Sequence, residues 1–267
     1  SPYRNLSSEL YGLFTMARVG IVPSAIYQRI WMHSDFLVQD CAIAIAAADL
    51  NPAMLNLDIL RYSGVIPANW ETAKQPVYGP SAAQIAFKNG VNIVAEGRQF
   101  VIIEPLEGDI RLHAASDIAQ QYIRAFPNLQ YKGFTFTLRG YLPTDYPAGQ
   151  YVCEKWLASG PWQEGCDRAA LNLVYKSERA PLQLALTEAM LQTKTEETIS
   201  IVLFNGRYGY AAKGDTAEEK CRYLSSCFAH LQSDTEHYVS TVNEKFVKTV
   251  EIAQMTEQPQ LALSANR

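Results

Sequence analysis

Apolar and polar residues alternate with a period of two over several short stretches of the chain, and recur with a period near that of an α-helix over one long stretch close to its end. Those two rhythms separate strands from helices. Met54 to Tyr62, Ala83 to Lys88, Val91 to Ala95 and Gln99 to Glu104 read as strands bounded by Gly, Pro and Asn, in a strand-rich pattern that begins at Cys41. Asn89-Gly90 lies between two of these runs, and its tolerance of positive φ predicts a type I′ hairpin with antiparallel neighbours. Phe134, Phe136 and Leu138 alternate with Thr135 and Thr137, which predicts a half-buried strand. Asp117 with Gln120 resembles a capping box heading a helix that places Ile118, Tyr122 and Phe126 on one face and stops at Pro127. Upstream, a helix-like region runs from about Ser8 to Val19, and Ser24 after Pro23 opens a second.

The clearest helical signal follows Thr216 and Glu219, which form a capping box. The series Leu224, Phe228, Leu231, Thr235, Tyr238, Val242, Phe246, Thr249 and Ala253 spans 29 residues in eight steps. That is about 3.6 residues per step, the period of a straight helix rather than a supercoiled one. A helix of about 35 residues would be a rod of roughly 50 Å, against a radius of gyration of about 18 Å for a compact chain of this length. A projecting end with Val242, Phe246 and Val250 exposed would require a partner.

Leu55-Asn56-Leu57 and Leu171-Asn172-Leu173 are 116 residues apart, and so are Asn89-Gly90 and Asn205-Gly206. The shared offset suggests an internal duplication. The expected fold class is α+β, an antiparallel strand-rich body with helices packed on it and a long C-terminal helix. Its expected layout is an N-terminal helical segment over 1–40, a first β-rich half closed by a helix over 41–145, and an aromatic, Pro- and Gly-rich connection over 146–167. A second β-rich half with the long helix occupies 168–253 and a tail 254–267. The stretch from Gly140 to Asp167 spaces Tyr141, Tyr146, Tyr151, Trp156 and Trp162 almost evenly. Without clear periodicity it reads as a functional loop or an obscured hairpin, its aromatics folded down as a lid or presented as a recognition surface.

Composition narrows the function. A net charge of −4 and the lack of any Lys/Arg run make phosphate backbones poor partners, so nucleic-acid binding is not expected. The apolar stretch Gly12 to Met32 is interrupted by Arg18, Pro23, Gln28 and Arg29, which excludes it as a transmembrane span. Charged residues make up 19% while tyrosine contributes 15 residues, a balance suited to a chain that buries additional surface against another. Five cysteines, an odd number in a long chain, favour reduced thiols and a cytoplasmic location. Cys153 and Cys166 flank a short Gly-rich loop and could pair under oxidising conditions, though the odd cysteine count favours free thiols. The chain starts at Ser1, so a targeting segment removed before it stays open.

Familiar catalytic signatures are missing: no GxSxG, HExxH, P-loop, GxGxxG or EF-hand loop occurs. One constellation has ligand chemistry. Cys227, His230, Asp234 and His237 recur at i, i+3, i+7 and i+10 within a narrow arc of the long helix, and thiolate, imidazole and carboxylate all bind transition metals such as zinc. The plainer reading of the same residues is a polar shoulder with one His capped by Asp234. Glu104, Glu107 and Asp109 straddle Pro105 and Gly108 and read as solvated turn acids. These features lead to a non-enzymatic protein–protein interaction or assembly subunit, free of cofactor, of a homo-oligomer or larger complex. Tyr141, Tyr146, Tyr151, Trp156, Trp162, Val242 and Phe246 are its candidate contacts. The alternative is an enzyme or ligand-binding domain with a pocket between two pseudo-repeats, metal-dependent through Cys227, His230, Asp234 and His237.

Overall fold

The computed structural model describes residues 36–106, 109–112, 114–192 and 198–248. The two upstream helical segments read from the sequence, and the tail, lie outside these residues. Among the described residues the fold is α+β: a nine-stranded antiparallel sheet in the order β2-β3-β4-β5-β1-β6-β9-β8-β7, with five α-helices. The strands are β1 (Leu37–Ala47), β2 (Val77–Tyr78), β3 (Ala82–Ala86), β4 (Asn92–Glu96), β5 (Gln99–Pro105), β6 (Tyr131–Pro143), β7 (Leu171–Tyr175), β8 (Leu182–Gln192) and β9 (Thr198–Ala211). The helices are α1 (Leu57–Tyr62), α2 (Ala115–Ala125), α3 (Ala148–Trp156), α4 (Ala217–Phe228) and α5 (Leu231–Val242), the last followed by a π-helical turn over Asn243–Val247. The chain forms two compact units. Among the described residues, the smaller contains Leu142–Ala170 and Leu186–Leu203; the larger contains Leu37–Tyr141, Leu171–Ala185 and 204–248.

Register explains the core of the larger unit. Because side chains point the same way only at every second strand position, partnered residues form rows across the sheet. One row is Ala83, Ala95, Phe100, Ile45 and Phe134; the next is Ile85, Ile93, Ile102, Ile43 and Phe136. Every member is buried. Helix α2 covers the first row, with Tyr122 stacked on Phe100 at 3.8 Å between ring centroids, and packs against β1, β5 and α4. Strand β1, flanked on both sides, is correspondingly apolar over most of its length.

Several expectations need correction. The run from Met54 to Tyr62 is not a strand: Asn56 accepts hydrogen bonds from the backbone N–H groups of Asp58 and Ile59 and starts α1. Alternation of Leu55, Leu57 and Ile59 imitates a strand, but the Asn cap decides. The 89–90 turn does join antiparallel strands. Its bonds, Phe87 N–H to Val91 O and Gly90 N–H to Phe87 O, enclose three residues, with Gly90 at φ 89°, rather than the two of a type I′ turn.

The second Asn-Gly pair is no turn at all. Gly206 lies inside β9, where a Cβ would stand 2.4 Å from Cδ2 of Tyr238. Glycine is there because an aromatic ring of α5 rests on the strand backbone. Since the 116-residue landmarks fall on unlike elements (a helix cap and a strand, a turn and a strand interior), the fold does not show the duplication.

The long helix is broken. The predicted capping box at Thr216 and Glu219 is present, yet α4 ends at Phe228 and α5 starts at Leu231. Ser226 turns its hydroxyl back onto the Tyr223 carbonyl, and Ser116 of α2 donates to the Phe228 carbonyl at 3.0 Å, satisfying a helix end that an unbroken helix would not expose. The aromatic connection is likewise partly helical: Ala148, Tyr151 and Val152, at i, i+3 and i+4, are the buried face of α3.

Candidate functional site

The densest polar cluster of the larger unit is where α5 lies along β9. Asp234 is only 1% exposed. One carboxylate oxygen accepts from Arg179 at 3.0 Å and the other from the Tyr210 hydroxyl at 2.5 Å. Its backbone carbonyl accepts from the Tyr208 hydroxyl at 3.0 Å. Tyr208 has a single hydroxyl proton, so with that proton on Asp234 O the 2.8 Å contact to His237 Nδ1 is made by a protonated Nδ1 donating to the phenol oxygen. Tyr208 and Tyr210 reach α5 because they alternate with Gly209 on β9, on the same face as Gly206. Four residues after Asp234 on α5, Tyr238 donates to the Phe204 carbonyl at 2.9 Å.

Chemically this is a clamp. Each Asp234 oxygen is engaged by a protein donor, and the hydrogen bond to Asp234 in turn raises the Arg179 pKa. The two cavities nearest in interest are lined by other residues. One, an apolar cleft of about 20 Å³ beneath Tyr122 and Phe100, has room for one water. The other, an open polar pocket of about 550 Å³ in the smaller unit, is lined by Gln150, Cys153, Glu154, Gln163, Cys166 and Asp167.

The four-residue ligand constellation is not assembled. Cys227 closes α4, His230 stands exposed at the break, and only Asp234 and His237 share α5. Among the described residues no group of three or more His, Cys, Asp or Glu side chains is placed to hold a metal ion. The break between α4 and α5 is the physical reason, since the spacing was phased on one continuous helix.

Two further buried acids had no sequence signal strong enough to find them. Glu104 is 3% exposed rather than solvated: its two oxygens accept the Ala114 and Ala115 N–H groups at 3.0 and 2.8 Å and cap α2. That replaces the Asp117/Gln120 box expected from local sequence, and a carboxylate there also complements the helix dipole. Asp40 on β1 pairs with Arg139, its register partner on β6. Burial pushes the Asp40 carboxyl upward and the Arg139 hydrogen bond opposes it. Asp109, by contrast, is bound by exposed Arg111 at the surface.

The aromatic candidates are divided among different settings. Tyr141 is buried in β6 opposite Leu37. Tyr151 is buried in α3 with Tyr146 and Trp156 on either side, at 5.5 and 5.4 Å. Tyr146 donates to Glu154 at 3.0 Å, and its phenol is pushed up to about 12, first by desolvation and then by that bond. Trp162 is 56% exposed. Val242 and Phe246 are buried, Phe246 edge-on to Phe204 at 5.6 Å, so the exposed helix end that would have needed a partner there is not present among the described residues.

A different surface is exposed and apolar. Met54, Ile59 and Tyr62 around α1, and Val77 and Tyr78 of the edge strand β2, all face solvent. The Leu57 N–H donates to the Tyr78 hydroxyl oxygen at 3.2 Å, which holds the two elements together. Sequence alternation hid this surface by assigning α1 to a strand.

Burial drives the phenols of Tyr131, Tyr208, Tyr210 and Tyr238 upward, desolvation being the leading cause in each. A free phenol titrates at about 10. Above that pH the unfolded chain releases protons that the fold retains, so stability present below pH ~10 is lost as pH rises, by about 1.4 kcal/mol per pH unit for each such tyrosine. In an alkaline titration tyrosinate absorbance from these residues should appear together with loss of circular dichroism; their ionisation in a still-folded protein would contradict this burial.

No protein-family model matches the chain, and no curated protein matches it in sequence. No helix of the described residues is long and apolar enough to cross a membrane.

Proposed function

We propose that the protein is a non-enzymatic assembly subunit that binds another protein surface, in the simplest case a second copy of itself, through the apolar patch formed by α1 and β2. The observation that carries this reading is the joint exposure of Met54, Ile59, Tyr62, Val77 and Tyr78, with Tyr62 98% exposed. Single exposed apolar residues are ordinary, but five of them on two elements tied by a hydrogen bond favour association. Tyr and Met are also the residue types enriched at interface centres. Low charge content, 19%, points the same way. The buried polar groups support it from the other side: Asp234, Glu104 and Asp40 each engage protein donors that hold secondary structure together.

Light scattering over a concentration series tests the proposal. The weight-average mass should climb from the 29.8 kDa of one chain toward twice that value as concentration rises. A mass that stays at one chain throughout the series would overturn it.

A further inference from the structure

We propose that Cys153 and Cys166 are a redox modification site, a dithiol in the smaller unit that exchanges with low-molecular-weight disulfides of the glutathione class to become an intramolecular disulfide. Cys153 lies on α3 and Cys166 follows the short 3₁₀ turn Pro161–Gln163, yet their sulfurs are 2.9 Å apart. A disulfide bond measures ~2.05 Å, so closing it requires an approach of less than about 1 Å. The loop is already folded onto the helix by bonds that do not involve sulfur. Gln163 Nε2 donates to the Cys153 carbonyl at 3.4 Å, the Cys166 N–H donates to the Gln163 carbonyl at 3.1 Å, and the Ala169 N–H donates to the Gly149 carbonyl at 3.1 Å. Contacts that do not involve sulfur thus hold the pair together.

Access exists from one side. Both cysteines line the open polar pocket of about 550 Å³, wide enough to admit a small disulfide. Cys153 is buried and Cys166 half-buried, which makes Cys166 the entry point. In the first step the Cys166 thiolate attacks one sulfur of the oxidised reagent RSSR, forming a mixed disulfide and releasing RS⁻. In the second the Cys153 thiolate attacks Cys166 Sγ and releases the other RS⁻. The two protons lost by the cysteines end on the two released thiols, and the two electrons reduce RSSR to 2 RSH. Hydrogen bonding to Cys166 first, then burial and the neighbouring Glu154, raise the Cys153 thiol pKa. Closure of the mixed disulfide by Cys153 therefore accelerates as pH rises. The remaining cysteines have no such neighbour among the described residues, with Cys41 enclosed in β1 and its thiol pushed well up by burial.

The test is equilibration of the full-length protein with oxidised glutathione, followed by alkylation and peptide mapping. Expected are the loss of two hydrogens from the intact mass, a Cys153–Cys166 cross-linked peptide, and a midpoint of thermal unfolding raised by roughly 6 °C, since the bond closes a short loop. In Cys153→Ser, glutathione should remain attached to Cys166 because the resolving thiol is gone. Wild-type protein in which both cysteines stay fully alkylatable, or in which Cys166 accumulates a stable glutathione adduct, would overturn the proposal without bearing on the α1/β2 patch.

Discussion

Replacing Asp234 by alanine is expected to destabilise the protein by about 3 kcal/mol, lowering the midpoint of thermal unfolding by roughly 6–12 °C. The substitution strands two donors at once. Tyr210 loses a buried acceptor and Arg179 loses its counter-ion. The cost sits near the lower end of the range for a broken buried pair because the Arg179 side chain is 31% exposed and can turn to water. Asp234→Asn, which keeps an acceptor for Tyr210, should cost less. An Asp234→Ala/Arg179→Met double variant should lose less than the two single losses added together, since the pair acts as one unit. Chemical denaturation of wild type, Asp234→Ala, Asp234→Asn, Arg179→Met and the double variant gives these differences directly. If Asp234 were instead held ready for chemistry, its removal would leave stability near wild type or raise it, as strained functional groups often do.

Gly206→Ala should be about as damaging, near 3 kcal/mol. The added methyl would sit 2.4 and 2.6 Å from Cδ2 and Cε2 of the Tyr238 ring. That ring cannot swing away cheaply: Tyr238 is fully buried and its hydroxyl is anchored on the Phe204 carbonyl. Overpacking of this kind costs ~1–3 kcal/mol when neighbours can shift and more when they cannot. Combining Gly206→Ala with Tyr238→Ala should relieve the clash, so the double variant is expected to be more stable than the sum of the two single losses implies. Additive losses would mean that α5 does not rest on β9 at this point. The Asp234 and Gly206 variants examine the same seam from its polar and its packing side.

What could be read from sequence depended on the range of the interaction that decides each element. Strands β3, β4, β5 and the middle of β6 were legible because one face of each is buried, which writes a period of two into five to seven residues. The Thr216/Glu219 box was legible because both halves of the cap lie within one turn. Elements decided at long range were not. Glu104 caps α2 across an intervening loop, so the local Asp117/Gln120 pattern pointed to the wrong carboxylate. Gly206 is explained only by a ring 32 positions later in the chain (238 − 206), and an Asn-Gly pair viewed alone implies a turn. The break between α4 and α5 leaves the apolar period intact. It shows in the Ser226 bond to Tyr223 and the Ser116 bond to Phe228, and with it the metal-ligand spacing loses its meaning.

The proposed contact surface lies on α1 and β2 rather than on the aromatic segment. Among the evenly spaced aromatics, Tyr151 is buried within its own unit, in tilted and edge-on ring contacts with Tyr146 and Trp156. Trp162 is exposed, and so are Met54, Ile59 and Tyr62 around α1 and Val77 and Tyr78 of β2, where alternation suggests a strand in place of α1.

Association of an Ile59→Glu/Tyr62→Glu variant, measured by light scattering beside wild type over one concentration series, tests the patch most directly. Both side chains already face solvent, so far-ultraviolet circular dichroism and thermal midpoint should be unchanged while the dimer dissociation constant weakens at least about tenfold, equivalent to ~1.4 kcal/mol. A variant that folds normally and self-associates as tightly as wild type would contradict the assignment of α1 and β2 as the binding surface.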